Sequence, residues 1–370
     1  MKTVRRLLYR DIAASVMFVS LAFLSLFYFI DFVEELDGIG GKGRFVGKAV
    51  LAAGLAVPGH LYELFPIAVL IGTIFSMARL AQSSEFTILR TGGLGPWRAL
   101  GLLAVLGLAF AVLTFVVGDY LAPASEREAV LLKARSAGGL QLEGAGAWLK
   151  ERRSTPQGER SYSVNVAGAS SRGLLAGVRI FEFDADGRLL SRTEAREGQV
   201  ADDGTWTLTD ARTARWPVAR SEDQPHVVLE QSPTVHWPST LSAAVVAAAV
   251  LPLSTMTTLE LWRYSSHLSV QEQSSQSHQI RFWRKAFYPF ACLVMVALAL
   301  PFAYLHARAG SVSLKVFGGI LLGISFVLLS NLSGHIATLR GWTPWVAAAA
   351  PSLLYLLLSM AAFTWLVRYR

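Results

Sequence analysis

Residues 12–32 read IAASVMFVSLAFLSLFYFIDF, and no charge interrupts them before Asp31. A helix rises about 1.5 Å per residue, so roughly 20 apolar residues cross a hydrocarbon core about 30 Å thick. This stretch is therefore a membrane span. Arg5 and Arg6 precede it, as they would a signal peptide. The run is too long for an h-region, however, and no small-x-small cleavage site follows, which predicts an uncleaved helix.

Residues 97–121 pass the same test, with Arg98 and Asp119 near the two ends. So do 287–305, 316–339 and 345–367. Residues 64–80 are shorter, and the apolar segment before them is broken by Pro58 and Glu63. We read 45–81 as one long helix entering the bilayer obliquely, kinked near Pro58 and Pro66. That predicts six spans. The composition agrees: 53% of residues are hydrophobic and only 16% charged, against about a quarter charged in a soluble domain. Disorder and most cytosolic enzyme classes are excluded. The net charge of +8 does not argue for nucleic acid, because in so apolar a chain excess Lys and Arg collects at membrane borders. Cys292 stands alone, so neither an internal disulfide nor a cysteine-rich metal site is available.

The short loops set the orientation. With the N-terminus inside, the inner side holds eleven cations: Lys2, Arg5, Arg6, Arg10, Arg79, Arg90, Arg98, Arg308, Lys315, Arg368 and Arg370. The outer loops hold Lys42, Arg44, Lys48 and Arg340, or seven cations once Arg281, Arg284 and Lys285 are added. Both counts place the two termini in the cytoplasm.

Residues 123–281 are a different kind of sequence, polar and rich in Arg, Asp, Ser and Thr. GVRIFEF at 177–183 alternates in the strand period, and the Asp-Ala-Asp-Gly that follows is a hairpin turn. TWTLT at 205–209 and HVVLE at 226–230 are further short strands. The expected insertion is an all-β domain, an antiparallel sandwich or jelly-roll-like fold, on the outer, periplasmic side. Residues 243–253 are apolar but too few to span, and are read as a packed connector. A short helix over 257–267 and a solvated loop over 271–279 complete the insertion. The division expected is 1–122 (three spans), 123–281 (β domain and connector) and 282–370 (three spans).

Catalytic motifs are missing. GGKG at 40–43 has the wrong glycine spacing and no Ser/Thr after its Lys, so it is not a phosphate-binding loop. There is no Gly-x-Ser-x-Gly and no His-Glu-x-x-His. His335 sits inside span five and is the one histidine that stands as a site candidate, with a capping or helix-pairing role as the alternative. No catalytic residue, metal or cofactor is expected.

Three constellations remain. Between spans two and three, Ser83 or Ser84 can cap a short helix near 83–91. Glu85 suits its positive N-terminus, and Gly92-Gly93 stop it. Phe86 and Leu89 share a face, with Glu85 near by, and Arg90 completes the expected coupling set. Such a helix can dock on a separate ATPase, and a connector lying on the lipid surface has the same pattern. At the outer border, Lys42, Arg44, Arg127, Lys133 and Arg135 can meet lipid phosphates or simply snorkel. In span five, Gly319 and Gly323 make a small-xxx-small face for close helix packing.

Several runs in this order resemble the LptF/LptG permease family of the lipopolysaccharide-export ABC transporter. They are MARLAQSSE at 77–85 with RTGG at 90–93, GDYLAP at 118–123 and AWLK at 147–150. LPLS at 251–254 with LEL at 259–261, and WRK at 283–285 with Pro289, continue the likeness over nearly the whole chain. The 81–85 and 147–150 runs are closer to the LptG branch than to LptF. The resemblance implies a non-catalytic permease in the inner membrane of a Gram-negative bacterium. It implies pairing with an LptF-like permease on a dimer of an LptB-like ATPase, with an LptC-like single-span protein and an LptA-like periplasmic bridge receiving the lipopolysaccharide. Glu85 would lie in the coupling helix and Lys133 would face the lipid's phosphates. Where the family has a lysine in the outer part of span one, this chain has Asp31. The competing expectation from the residues alone is a membrane-anchored periplasmic adaptor or sensor.

Overall fold

The computed structural model describes residues 2–38, 46–83, 85–137, 140–141, 146–156, 158–169, 175–201, 205–216, 227–241, 246, 255–270, 276–304 and 312–368. They fall into two compact units, one of residues 1–125 and 276–370, the other of 126–275.

The first unit is helical. Its elements are α1 (Lys2–Gly38), α2 (Val46–Gln82), the short α3 (Glu85–Thr91) and α4 (Pro96–Val116), which runs through a π-helical turn (Val117–Leu121) into α5 (Ala122–Ala137), a helix that passes into the second unit at Glu126. After the insertion come α7 (Gln276–Tyr304), α8 (Val312–Arg340) and α9 (Pro344–Arg368), α6 (Thr258–Val270) belonging to the second unit. Six helices among the described residues are long and apolar enough to cross a membrane, as expected. α2 continues as helix through both Pro58 and Pro66. α7 begins well before the expected span, so 276–279, read from sequence as loop, are helical. The polar first turns of α7 hide it from a hydropathy criterion. Residues 271–275 lie outside the described ones.

α2 is the hub. Its most apolar window is 78% buried, that of α1 only 11%, and it packs on α1, α7 and α8. A helix that is apolar on every side is suited to such a central position. Ile12 and Val16 of α1 meet Val69, Leu70, Ile74 and Met77 of α2 in one core with Leu103 and Phe110 of α4 and Met295 of α7. Glycine lets the helices approach: a Cβ on Gly72 would lie 2.6 Å from the backbone N and Cα of Val16. Polar groups tie α1 to α2 at both ends. Asp11 accepts from Ser76 Oγ and pairs with Arg79, and Asp31 Oδ2 lies 2.8 Å from His60 Nε2. Between α4 and α7, Thr114 Oγ1 and Cys292 Sγ are 3.1 Å apart.

The second unit holds the strands β1 (Leu140–Gln141), β2 (Ala147–Thr155), β3 (Gly158–Ala169), β4 (Leu175–Phe183), β5 (Leu189–Val200), β6 (Thr205–Arg215) and β7 (Val228–Pro238). All pair antiparallel in one sheet, with β3 to β7 in sequential order and β1 and β2 sharing the other side of β3. The inserted β domain is thus present. The 184–187 turn is the expected hairpin: Asp184 Oδ1 accepts the N–H groups of Asp186 and Arg188, and Gly187 sits at φ +77°. Leu149, Val164, Val178, Ile180, Trp206 and Leu208 line the core face. Of the 243–253 connector only Val246 is described, and it is buried.

One carboxylate lies within this apolar face. Glu151 of β2 is fully buried. Its Oε1 accepts from Thr240 N (2.8 Å) and Oγ1 (2.9 Å), and its Oε2 from Ser239 Oγ (2.7 Å). Arg153 pairs with it at 2.7 Å while lying over the rings of Tyr162 (4.3 Å) and Trp237 (4.8 Å). The network fixes the chain where it leaves β7.

Candidate functional site

α3 follows α2 almost at once. Ser83 Oγ donates to Arg79 O and Leu80 O, closing the end of α2 instead of capping α3; Ser84 lies outside the described residues. Glu85 opens the helix, where a carboxylate favours the exposed N–H groups. The stop is as expected: Gly93 at φ +98° allows Leu94 N–H to reach back to Leu89 O (3.0 Å) and Gly93 N–H to Arg90 O (3.1 Å). Buried Leu94 then fastens the turn to the helical core.

The two faces of α3 are differently used. Phe86 is only 3% exposed, and Leu89 packs against the same core. The apolar face that the sequence offered for docking or for contact with lipid is therefore covered by the protein's own helices. It anchors α3. What faces outward is Glu85, Thr87, Ile88 and Arg90, with Ile88 67% exposed. Ile88 was missed because spacing in a seven-residue helix cannot say which apolar residue the core takes. The neighbouring Asp11–Ser76–Arg79 cluster brings α1 against the end of α2 that carries α3. Its members are 65 and 68 residues apart, and no local signal announces the pairing.

The basic residues divide. Lys42 and Arg44 lie outside the described residues. Lys133 and Arg135 lie on α5, their side chains outside those described. Arg127 is engaged within its own unit: Nε donates to Thr255 O at 2.9 Å and the guanidinium pairs with Glu260. Glu260 and Thr257 form a capping box at the start of α6, Glu260 N–H donating to Thr257 Oγ1 (3.2 Å) and Thr257 N–H to Glu260 Oε2 (2.9 Å). Burial raises the Glu260 carboxyl, but the bonds from Thr257 and the charge of Arg127 outweigh it and hold the group below its usual value.

Gly319 and Gly323 of α8 face α2. A Cβ at Gly319 would come 2.6 Å from Ile74 Cδ1, and one at Gly323 3.1 Å from Ile67 Cγ2. The close packing they permit is within this chain. Asp31 is matched by His60, whose ring also meets Phe27 at 4.9 Å. His335 Nδ1–H donates to Asn331 O, one turn earlier on α8, at 2.9 Å.

The chain is similar to the lipopolysaccharide export permease LptG of Haemophilus influenzae, at 24% identity over 360 residues and 96% of each chain. It is equally similar to LptG of Escherichia coli K12, at 24% over 354 residues and 95% of each chain. The model of the lipopolysaccharide export system permease family LptF/LptG matches residues 6–367. With six long apolar helices and a β domain inserted in their middle, the chain belongs to the LptF/LptG family of lipopolysaccharide export permeases.

Proposed function

We propose that this permease carries no ATPase site of its own and draws its power from a partner ATPase that docks on α3. The observation that carries this is the two-sidedness of α3: Phe86 and Leu89 root it in the helical core, while Glu85, Ile88 and Arg90 face out. A helix fixed on one side and presenting charge around an apolar residue on the other can pass a push from a docked protein into α2. In this reading both termini are cytoplasmic and the β domain is periplasmic. An LptF-like permease completes the path, lipopolysaccharide enters from the outer leaflet, and an LptC-like protein with an LptA-like bridge receives it. Lys42, Arg44, Lys133 and Arg135 are the cations proposed to meet its phosphates. Removing acyl chains from a bilayer costs roughly 0.8 kcal/mol per exposed CH₂, so a lipid with several chains requires an external energy source.

Glu85→Lys is the test. The residue is exposed, and reversing its charge takes only about 0.3–1 kcal/mol from α3 through the helix dipole, so the fold stays intact. Recovery of an ATPase with the tagged permease is expected to fall at least tenfold, and lipopolysaccharide export with it. Unchanged recovery and export would remove the docking role of α3 and favour a periplasmic adaptor.

A further inference from the structure

Beside α3 the first turns of α1 and α4 leave a groove of about 460 Å³. That is within the roughly 300–1,000 Å³ range of ligand sites. Val4, Leu94, Leu102 and Val105 give it apolar walls, and Leu89 of α3 closes one side. Tyr9 OH donates to Leu102 O at 2.9 Å and holds α1 against α4 beside it. Arg5 and Arg98 reach the same groove.

Three properties together specify an occupant. The groove lies at the polar ends of two spans, where Trp97, 64% exposed, marks an interfacial level. It opens on the side of Gly101 and of Val105, itself 59% exposed, in a helix whose outer surface is hydrocarbon-compatible. Its two guanidiniums have no carboxylate partner among the described residues; Arg98 makes only a long 3.4 Å bond to Gly93 O. An apolar slot open towards hydrocarbon with two uncompensated cations at headgroup height is complementary to one chemistry: a phosphate carrying acyl chains. Basic pockets at the ends of spans take anionic headgroups for this reason.

We propose that this groove is a binding site for an anionic phospholipid, with the phosphate on Arg5 and Arg98 and an acyl chain along Val4, Leu102 and Val105. The chain would pack under Leu89, so the lipid supports α3 from below.

The test needs neither ATP nor cargo, so its failure is separable from failure of the transport reading. The full-length chain in detergent is titrated with phosphatidylglycerol or phosphatidylcholine of the same acyl length and weighed by native mass spectrometry. Two variants are compared: Arg5→Gln with Arg98→Gln, which removes the charges, and Gly101→Leu, which keeps them and fills the groove. A Cβ at Gly101 meets nothing within 4 Å, so the backbone accepts the second change. Wild type is expected to hold one phosphatidylglycerol, at least tenfold more tightly than phosphatidylcholine, and each variant to lose at least tenfold. Binding that survives Gly101→Leu would mean diffuse attraction to surface charge and overturn the site, as would equal binding of the two lipids. A photo-crosslinker at Val105 that captures a protein segment in native membranes, and no lipid, would overturn it too.

Discussion

Gly72→Ala should destabilise the protein by about 1–2 kcal/mol, although alanine is the better helix former. Intrinsic propensity alone favours Ala over Gly by up to about 1 kcal/mol in a helix interior. Packing reverses the sign here, because the new methyl would come 2.6 Å from the backbone N and Cα of Val16. Backbone atoms have no rotamer in which to retreat, so α1 and α2 must separate, and overpacking of this kind costs about 1–3 kcal/mol. Separation also loosens Asp11 from Ser76 and Arg79, next to the end of α2 that leads into α3. Gly54, on the same helix with nothing within 4 Å of its Cβ, is the control: Gly54→Ala should match or exceed wild type. Thermal unfolding of the purified proteins decides it, and equal melting of the two variants would refute the close crossing.

Glu151→Ala should cost about 3–5 kcal/mol, the range for breaking a buried ion pair from one side. The change leaves Arg153 facing no carboxylate and strips acceptors from Thr240 N–H and from the Ser239 and Thr240 hydroxyls. Glu194→Ala is the contrast. That carboxylate pairs with Arg179 and Arg192, yet is 43% exposed, and exposed pairs contribute about 0–1 kcal/mol. Tryptophan emission reports the difference, since Trp206 is buried in the same core and Trp237 packs against it. A Glu151→Ala protein that unfolds like Glu194→Ala would show that the network does not anchor the sheet.

What could be read from the residues alone depended on range. Span positions and the hairpin at 184–187 are written locally, in runs of apolar residues and in an Asp-Ala-Asp-Gly turn. The limits of α3 are local too, with Glu85 at its start and Gly93 at its stop. The start of α7 was obscured because its first turns are charged, and hydropathy scores the bilayer, not the helix. The inward placement of Phe86 was not readable, since periodicity identifies a face without naming what covers it. Glu151 with Thr240, Arg127 with Glu260 and Asp31 with His60 are brought together only by the fold, across separations of 89, 133 and 29 residues. Arg127 in particular looked like a free cation in a basic run, and a carboxylate far along the chain claims it.

On the proposed function, this chain provides a path and a handle while a partner supplies the energy. Proteoliposomes carrying lipopolysaccharide, the permease pair and the ATPase measure it directly, by lipid released to a soluble acceptor per ATP consumed. Release is expected to require ATP and the ATPase, to fall at least tenfold with Glu85→Lys, and to be absent when this chain is reconstituted alone. ATP turnover or release by the chain alone would contradict the proposal.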